Sequence, residues 1–183
     1  MIDRDEALRR VKQHVKNRNL VKHMIAVSAI MGGLAEYLEE DRELWEIVGI
    51  LHDIDYEKVG EDWDRHGVVS AEMVADELPE DAVHAIRAHN PRTGYKPESQ
   101  MDVALLTADA LSGLVVATAL MMPDKKLATV KVRSLRRKLR DRSFARGVNR
   151  ENLARCEKLG LNLDEFLAIG LESMQSVSGE LGL

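Results

Sequence analysis

The chain has 183 residues, 45% of them apolar and 31% charged, which excludes a disordered polymer and allows one hydrophobic core. Aromatics are only 4%, so the core must rest on Leu, Ile, Val, Ala and Met, which favours packed helices over a sheet. Cys156 is the single cysteine, excluding an internal disulfide framework and a cysteine-based zinc site. The opening MIDRDEALRR is charged from its third residue and has no apolar leader, so the expected location is cytoplasmic.

Helix signals follow one another along the chain. Asp3 with Glu6 predicts a capped helix to about Lys16, and Asn19 a second through Glu40, with Leu20, Met24, Val27, Ile30, Met31 and Leu34 as its apolar stripe. Asp41 predicts a third helix running through Leu44, Ile47, Val48 and Leu51 to His52. A fourth is expected over about Asp64 to Leu78, and Pro79, as a first-turn proline, opens a fifth to about His89. The stretch NPRTGYKP, residues 90–97, reads as a loop. Ser99 and Asp102 introduce a long apolar helix ending near Pro123, and a basic helix follows. Asn149 is expected to cap a helix ending near Gly160, and Asn162 with Glu165 a last one through Leu167, Leu171 and Met174. No alternating strand pattern appears. The expectation is an all-α, single-domain helical bundle over residues 1–183, with a functional core at about 19–122 and C-terminal helices at about 124–183.

Two stretches stand apart. Residues 103–122, VALLTADALSGLVVATALMM, have the length of a membrane span and one charge, Asp109. The remaining helices are amphipathic, so the core helix of a bundle explains the pattern better and no membrane partner is expected. Residues 124–150 hold 11 Lys/Arg against 2 Asp/Glu, a balance of +9, while the net charge of −5 leaves −14 on the remainder. The simplest reading is a solvated helix face opposite Val132, Leu135 and Leu139, with nucleic acid the less favoured alternative.

The chemistry lies in the histidines and aspartates. His52-Asp53 ends an apolar helical run at the edge of the core, and His23 lies within the second helix. Asp109 sits in the most apolar helix, beside Ala108, Ala110, Ser112 and Gly113, where a divalent cation would offset the cost of an ionised carboxylate. Imidazole and carboxylate donors suit Fe, Mn, Zn, Co or Ni, and Mg less well.

These residues, His23 in LVKHMIAV, His52-Asp53 in GILHDIDY and Asp109 in LLTADALSG, resemble the pattern of the HD superfamily of metal-dependent phosphohydrolases over roughly residues 19–122. The LHDIDYE and GVNREN segments are similar to those of a small group of predicted HD hydrolases of about this length. The resemblance implies that His66 in DRHGVVSAE and His89 in AIRAHNP bind a second metal, with Asp53 bridging the two. His14 and His84 have no such context and read as structural or exposed. After His89 comes Asn90, and after Asp53 come Ile54 and Asp55, departures that argue against the cyclic-dinucleotide phosphodiesterase branch.

Two ions about 3.5–4 Å apart would acidify a bridging water and stabilise in-line displacement at phosphorus. Asp53 and Asp55 are then the catalytic candidates, Asp55 as a general base or as a partner orienting a histidine. The expected substrate is a small phosphorylated molecule, with nucleotides among the candidates, held by one of Lys22, Arg65, Arg92, Lys131 or Arg133. The same six residues are also similar to those of di-iron oxygenases of the superfamily, and a non-catalytic metal-stabilised binding module is the third alternative.

Overall fold

The computed structural model describes residues 2–183. Among these residues there is no strand: the chain is all-α, as its composition requires. Helix α1 (Arg4–His14) starts where the Asp3 carboxylate accepts from the Glu6 amide at 2.8 Å. Helix α2 (Arg18–Leu38) is capped by Asn17, whose side chain accepts from Asn19 and Leu20, so the start lies two residues before the expected cap. The reason is tertiary. The Glu57 carboxylate accepts from the Lys16 and Asn17 amides at 2.7–3.0 Å and fixes the chain just ahead of the helix. Helix α3 (Arg42–Leu51) begins at Asp41 and ends on His52 as the sequence predicts.

The expected helix over Asp64–Leu78 is shorter. Residues 61–67 form turns, and after the single turn α4 (Tyr56–Val59) the next helix is α5 (Val68–Val74). Gly67 breaks the run at φ 89°, where a Cβ would meet His89 Cε1 and the Ile86 carbonyl at 2.9 Å. Helix α6 (Glu80–Ala88) follows Pro79, which sits at the cap and not in the first turn, and a 3-10 turn at Pro91–Thr93 lies inside the expected loop.

Helix α7 (Gln100–Leu120) opens on a reciprocal capping box between Ser99 and Asp102. By length and hydropathy it could cross a membrane, but 72% of its apolar window is buried inside the fold. It packs on α2, α3 and α6, and also on α8 (Val132–Arg140), α9 (Arg150–Ala154) and α10 (Leu163–Ser176). A 3-10 turn over Arg155–Leu159 completes the stretch to Gly160, and a short α11 (Ser178–Leu181) lies against α2.

Helices α2 and α3 approach each other closely. A Cβ on Gly49 would fall 2.6 Å from Ser28 Cα and 2.8 Å from Ser28 N, so backbone meets backbone. That contact lies one turn before His52, so the segment carrying His52 is packed directly on α2.

Candidate metal centre

His52 and His89 are held by the same local device. Each caps the C-terminus of its helix, and each directs Nδ1 at the carbonyl three residues back: Gly49 at 2.8 Å for His52, Ile86 at 2.6 Å for His89. A carbonyl only accepts, so Nδ1 carries the proton and Nε2 is a bare lone pair. The Nδ1 of His66 is held by Asp55, whose Oδ1 lies 2.8 Å away. That of His23 is held by Ser112. The Ser112 hydroxyl donates to the Asp109 carbonyl at 2.8 Å, leaving its oxygen to accept from His23 Nδ1 at 3.1 Å.

Four imidazoles therefore aim their Nε2 atoms into one space, around the Asp53 carboxylate. Asp53 Oδ1 lies 3.3 Å from His52 Nε2, 3.2 Å from His66 Nε2 and 3.3 Å from His89 Nε2. Asp53 Oδ2 lies 3.6 Å from His23 Nε2, which is 3.2 Å from Asp109 Oδ1. The two oxygens thus face different partners, a division suited to a carboxylate shared between two positions. Two groups of donor atoms come together closely enough to hold an ion: His23, His52 and Asp109, and His52, Asp53 and His89.

The donors fit a divalent cation on two counts. His52 Nε2 is fully buried without a hydrogen-bond partner, an arrangement that is costly unless something binds it. His66 Nε2 and His89 Nε2 face each other at 3.3 Å, a spacing at which a shared cation can replace the proton that otherwise lies between them. The separations of 3.2–3.6 Å match ligands that each lie roughly 2.0–2.2 Å from a common ion.

The electrostatics of the protein alone point the same way. Burial pushes His52 down to about 4, despite the attraction of Asp53. Burial also works against protonated His66, but its hydrogen bonds to Asp53 and Asp55 prevail and raise it to about 9. Burial opposes ionised Asp53, yet the surrounding imidazoles, His52 first, hold it well below the usual carboxylate range. Asp109 is lowered in the same way by His23. A carboxylate core inside a ring of imidazoles is a site prepared for positive charge.

Asp109 differs from its expected setting. The helix is buried, but the side chain is 37% exposed, because Asp109, Gly113, Val116 and Ala117 form the one strip of α7 that borders a cleft. Asp55 also needs correction as a general base. It is fully buried, and while Oδ1 holds His66, Oδ2 accepts from the amides of Gly67 at 2.8 Å and Ser70 at 2.9 Å. With both oxygens taken it cannot reach a substrate, and its position is that of a partner orienting His66.

The basic candidates separate. Lys22 borders a cleft of about 490 Å³ beside His23 and Ser112. Arg65 is exposed near Glu72, Arg92 is tied to Asp64 at 2.9 Å, and Lys131 and Arg133 lie at the start of α8, none of them lining the clefts at the histidines. His14 is exposed and His84 is paired with buried Asp102 at 3.1 Å, both consistent with structural roles.

Sequence reasoning missed the rim. Tyr56, Asn149 and Asn152 line the cleft of about 410 Å³ over the constellation, and Gly147 and Val148 line its extension past Asp109. The GVNREN segment is the available signal; it holds both asparagines, and Asn149 fills its expected capping role as well. One residue organises this rim. The Arg150 guanidinium donates to the carbonyls of Leu139, Asp141, Phe144 and Val148 at 2.7–3.4 Å. Asn90 ties the opposite side, its amide donating to the carbonyls of Trp63 at 2.7 Å and His66 at 2.9 Å.

The HD domain family matches residues 20–114. Among curated proteins, the chain is similar to ribonuclease Y of Lawsonia intracellularis (strain PHE/MN1-00), 34% identical over 101 residues, which are 52% of this chain and 18% of that protein. Ribonuclease Y of Desulfotalea psychrophila (strain LSv54 / DSM 12343) is 32% identical with the same coverage. Ribonuclease Y of Nitratidesulfovibrio vulgaris (strain DP4) is 32% identical over 103 residues, 53% of this chain and 18% of that protein. The chain thus spans less than a fifth of the length of the curated relatives it matches. The family match covers more than half of the chain and encloses the whole constellation from His23 to Asp109, and the chain belongs to the HD domain family.

Proposed function

We propose that the chain is a metal-dependent phosphoester hydrolase, with His23, His52, Asp53, His66, His89 and Asp109 as its metal ligands. The observation that carries this reading is the convergence of four Nε2 atoms on Asp53, with His52 Nε2 buried and unpartnered. A divalent cation bound there supplies Lewis acidity and a nucleophilic water at neutral pH, the two requirements of phosphoester hydrolysis. The chain's own residues do the rest. Asp55 and Ser112 fix the tautomers of His66 and His23, and the Gly49 and Ile86 carbonyls fix those of His52 and His89. Asp53 and Asp109 contribute negative charge that holds the cations, and Asn149 and Asn152 at the rim offer neutral groups for a phosphoryl oxygen. Lys22 stands where it can meet an anionic substrate entering beside His23.

The curated relatives are ribonucleases by name, which favours a phosphodiester over a phosphomonoester as substrate. The test uses bis-p-nitrophenyl phosphate, p-nitrophenyl phosphate and a short RNA with added Mn, Zn or Mg, in air and under argon. Metal-dependent hydrolysis that is independent of oxygen and lost in Asp53→Ala is expected. Full activity in that variant, or turnover only in oxygen, sinks the proposal.

A further inference from the structure

The site leaves the basic run unused. In α8, Val132, Leu135 and Leu139 pack inward, while Arg133, Arg136, Arg137 and Arg140 are exposed. With Val132 and Asp164 these four line a shallow concavity of about 460 Å³. Asp164 holds Arg136 at 2.9 Å. Among the described residues, no carboxylate bridges Arg133, Arg137 or Arg140.

For the helix alone this arrangement is unfavourable. Arg133 neighbours Arg136 and Arg137, and Arg140 neighbours both as well, each a like-charge pair at a spacing of three or four that weakens a helix. The first turn has no acidic residue to complement the helix dipole. A partner with regularly repeated negative charge would relieve all of these terms at once, and the planar guanidinium fork matches a phosphate better than an ammonium does. Val132 is the one apolar residue of the concavity, which is otherwise lined by the arginines and Asp164.

The position of α8 adds the second argument. It continues into residues 141–149, a loop on which Arg142 and Arg146 are exposed and of which Ala145, Gly147, Val148 and Asn149 line the cleft beside His23 and Asp109. The C-terminal end of α8 is thereby joined by a short basic loop to the wall of the cleft. We infer that the arginine face of α8 is an RNA-binding surface that grips the phosphodiester backbone of a strand whose continuation enters the cleft. The face has no aromatic side chain for stacking, so recognition is of the backbone and independent of sequence. This rests on the reading of the site as a phosphodiester hydrolase.

The experiment measures fluorescence polarisation of a labelled single-stranded RNA with the full chain, in EDTA so that the strand stays intact, across a salt series. Arg133→Gln/Arg137→Gln/Arg140→Gln is compared with Lys12→Gln/Lys96→Gln/Lys158→Gln, three exposed cations elsewhere. Three lost phosphate contacts reduce the slope of log K against log salt by about 2, so a roughly fourfold rise in salt costs the native chain about fifteenfold more affinity than the arginine variant. The lysine variant keeps the native slope. Equal losses in the two variants, an unchanged slope in the arginine variant, or binding to anionic vesicles but not to RNA overturns the inference. Hydrolysis of bis-p-nitrophenyl phosphate by the native chain separates the two readings. If RNA binds through α8 and no diester is cleaved, the hydrolase reading falls and the surface stands; if the diester is cleaved and RNA does not bind, the surface alone falls.

Discussion

Replacing Asp55 by alanine tests how the centre is built. The carboxylate holds His66 Nδ1 at 2.8 Å and also accepts from the Gly67 and Ser70 amides at 2.8 and 2.9 Å. Gly67 begins α5 with no side chain of its own to cap it, so Asp55 serves as that helix's cap from outside. Loss of a hydrogen bond to a charged group costs about 1.5–3 kcal/mol, and loss of a cap typically about 1 kcal/mol. Because Asp55 is fully buried, water cannot replace it without rearrangement, and the total expected is about 3–5 kcal/mol. For a chain of this size that lowers the melting temperature by about 10 °C. Urea unfolding in EDTA measures this without interference from metal binding, and titration of Mn or Zn into the folded variant measures the second effect, a loss of metal affinity of about 10- to 100-fold. Asp55→Asn keeps one acceptor oxygen and should fall between the variant and the native chain on both scales. A stability change under about 1 kcal/mol would refute the external cap, and unchanged metal affinity would refute the orienting role.

Three further outcomes follow from other contacts. Gly49→Ala drives a methyl into the Ser28 backbone at 2.6–2.8 Å, so α2 and α3 must separate; a stability loss of about 3 kcal/mol or more is expected in chemical denaturation, together with weaker metal binding because His52 moves with the end of α3. Ser112→Ala removes the acceptor of His23 Nδ1 and should lower metal affinity by about tenfold while changing the stability of the EDTA-treated protein by less than about 1.5 kcal/mol, and the reverse pattern would contradict its assigned place. A divalent ion at about 100 times its dissociation constant adds about 2.7 kcal/mol to native stability, read as a rise of about 5–10 °C in calorimetry; Asp53→Ala should show no such rise.

The helices and ligand candidates were legible because they follow local rules. Asp41, Ser99 with Asp102, and Asn162 with Glu165 cap their helices by side-chain bonds within three residues, which a sequence displays directly. The errors arose where distant residues decide. Glu57 fixes the start of α2 from forty residues away, and Gly67, packed against His89, delays the start of the expected fourth helix to Val68. His66 and His89 were reached only by resemblance, since nothing local marks them. Asp55 could not be assigned between base and orienting partner until its three acceptor contacts were seen. The rim asparagines were hidden for a different reason: Asn149 satisfies a local rule as a cap, which masks its second position at the cleft.

Arg150 gives the rim a mechanical character. Its guanidinium joins carbonyls from the end of α8 and three points of the following loop, among them positions flanking Ala145, which sits at φ 46°. Loss of this one side chain would release all four carbonyls together. The cleft wall at Ala145, Gly147, Val148 and Asn149 is thus irregular backbone whose course depends on a cation that does not itself line the cleft.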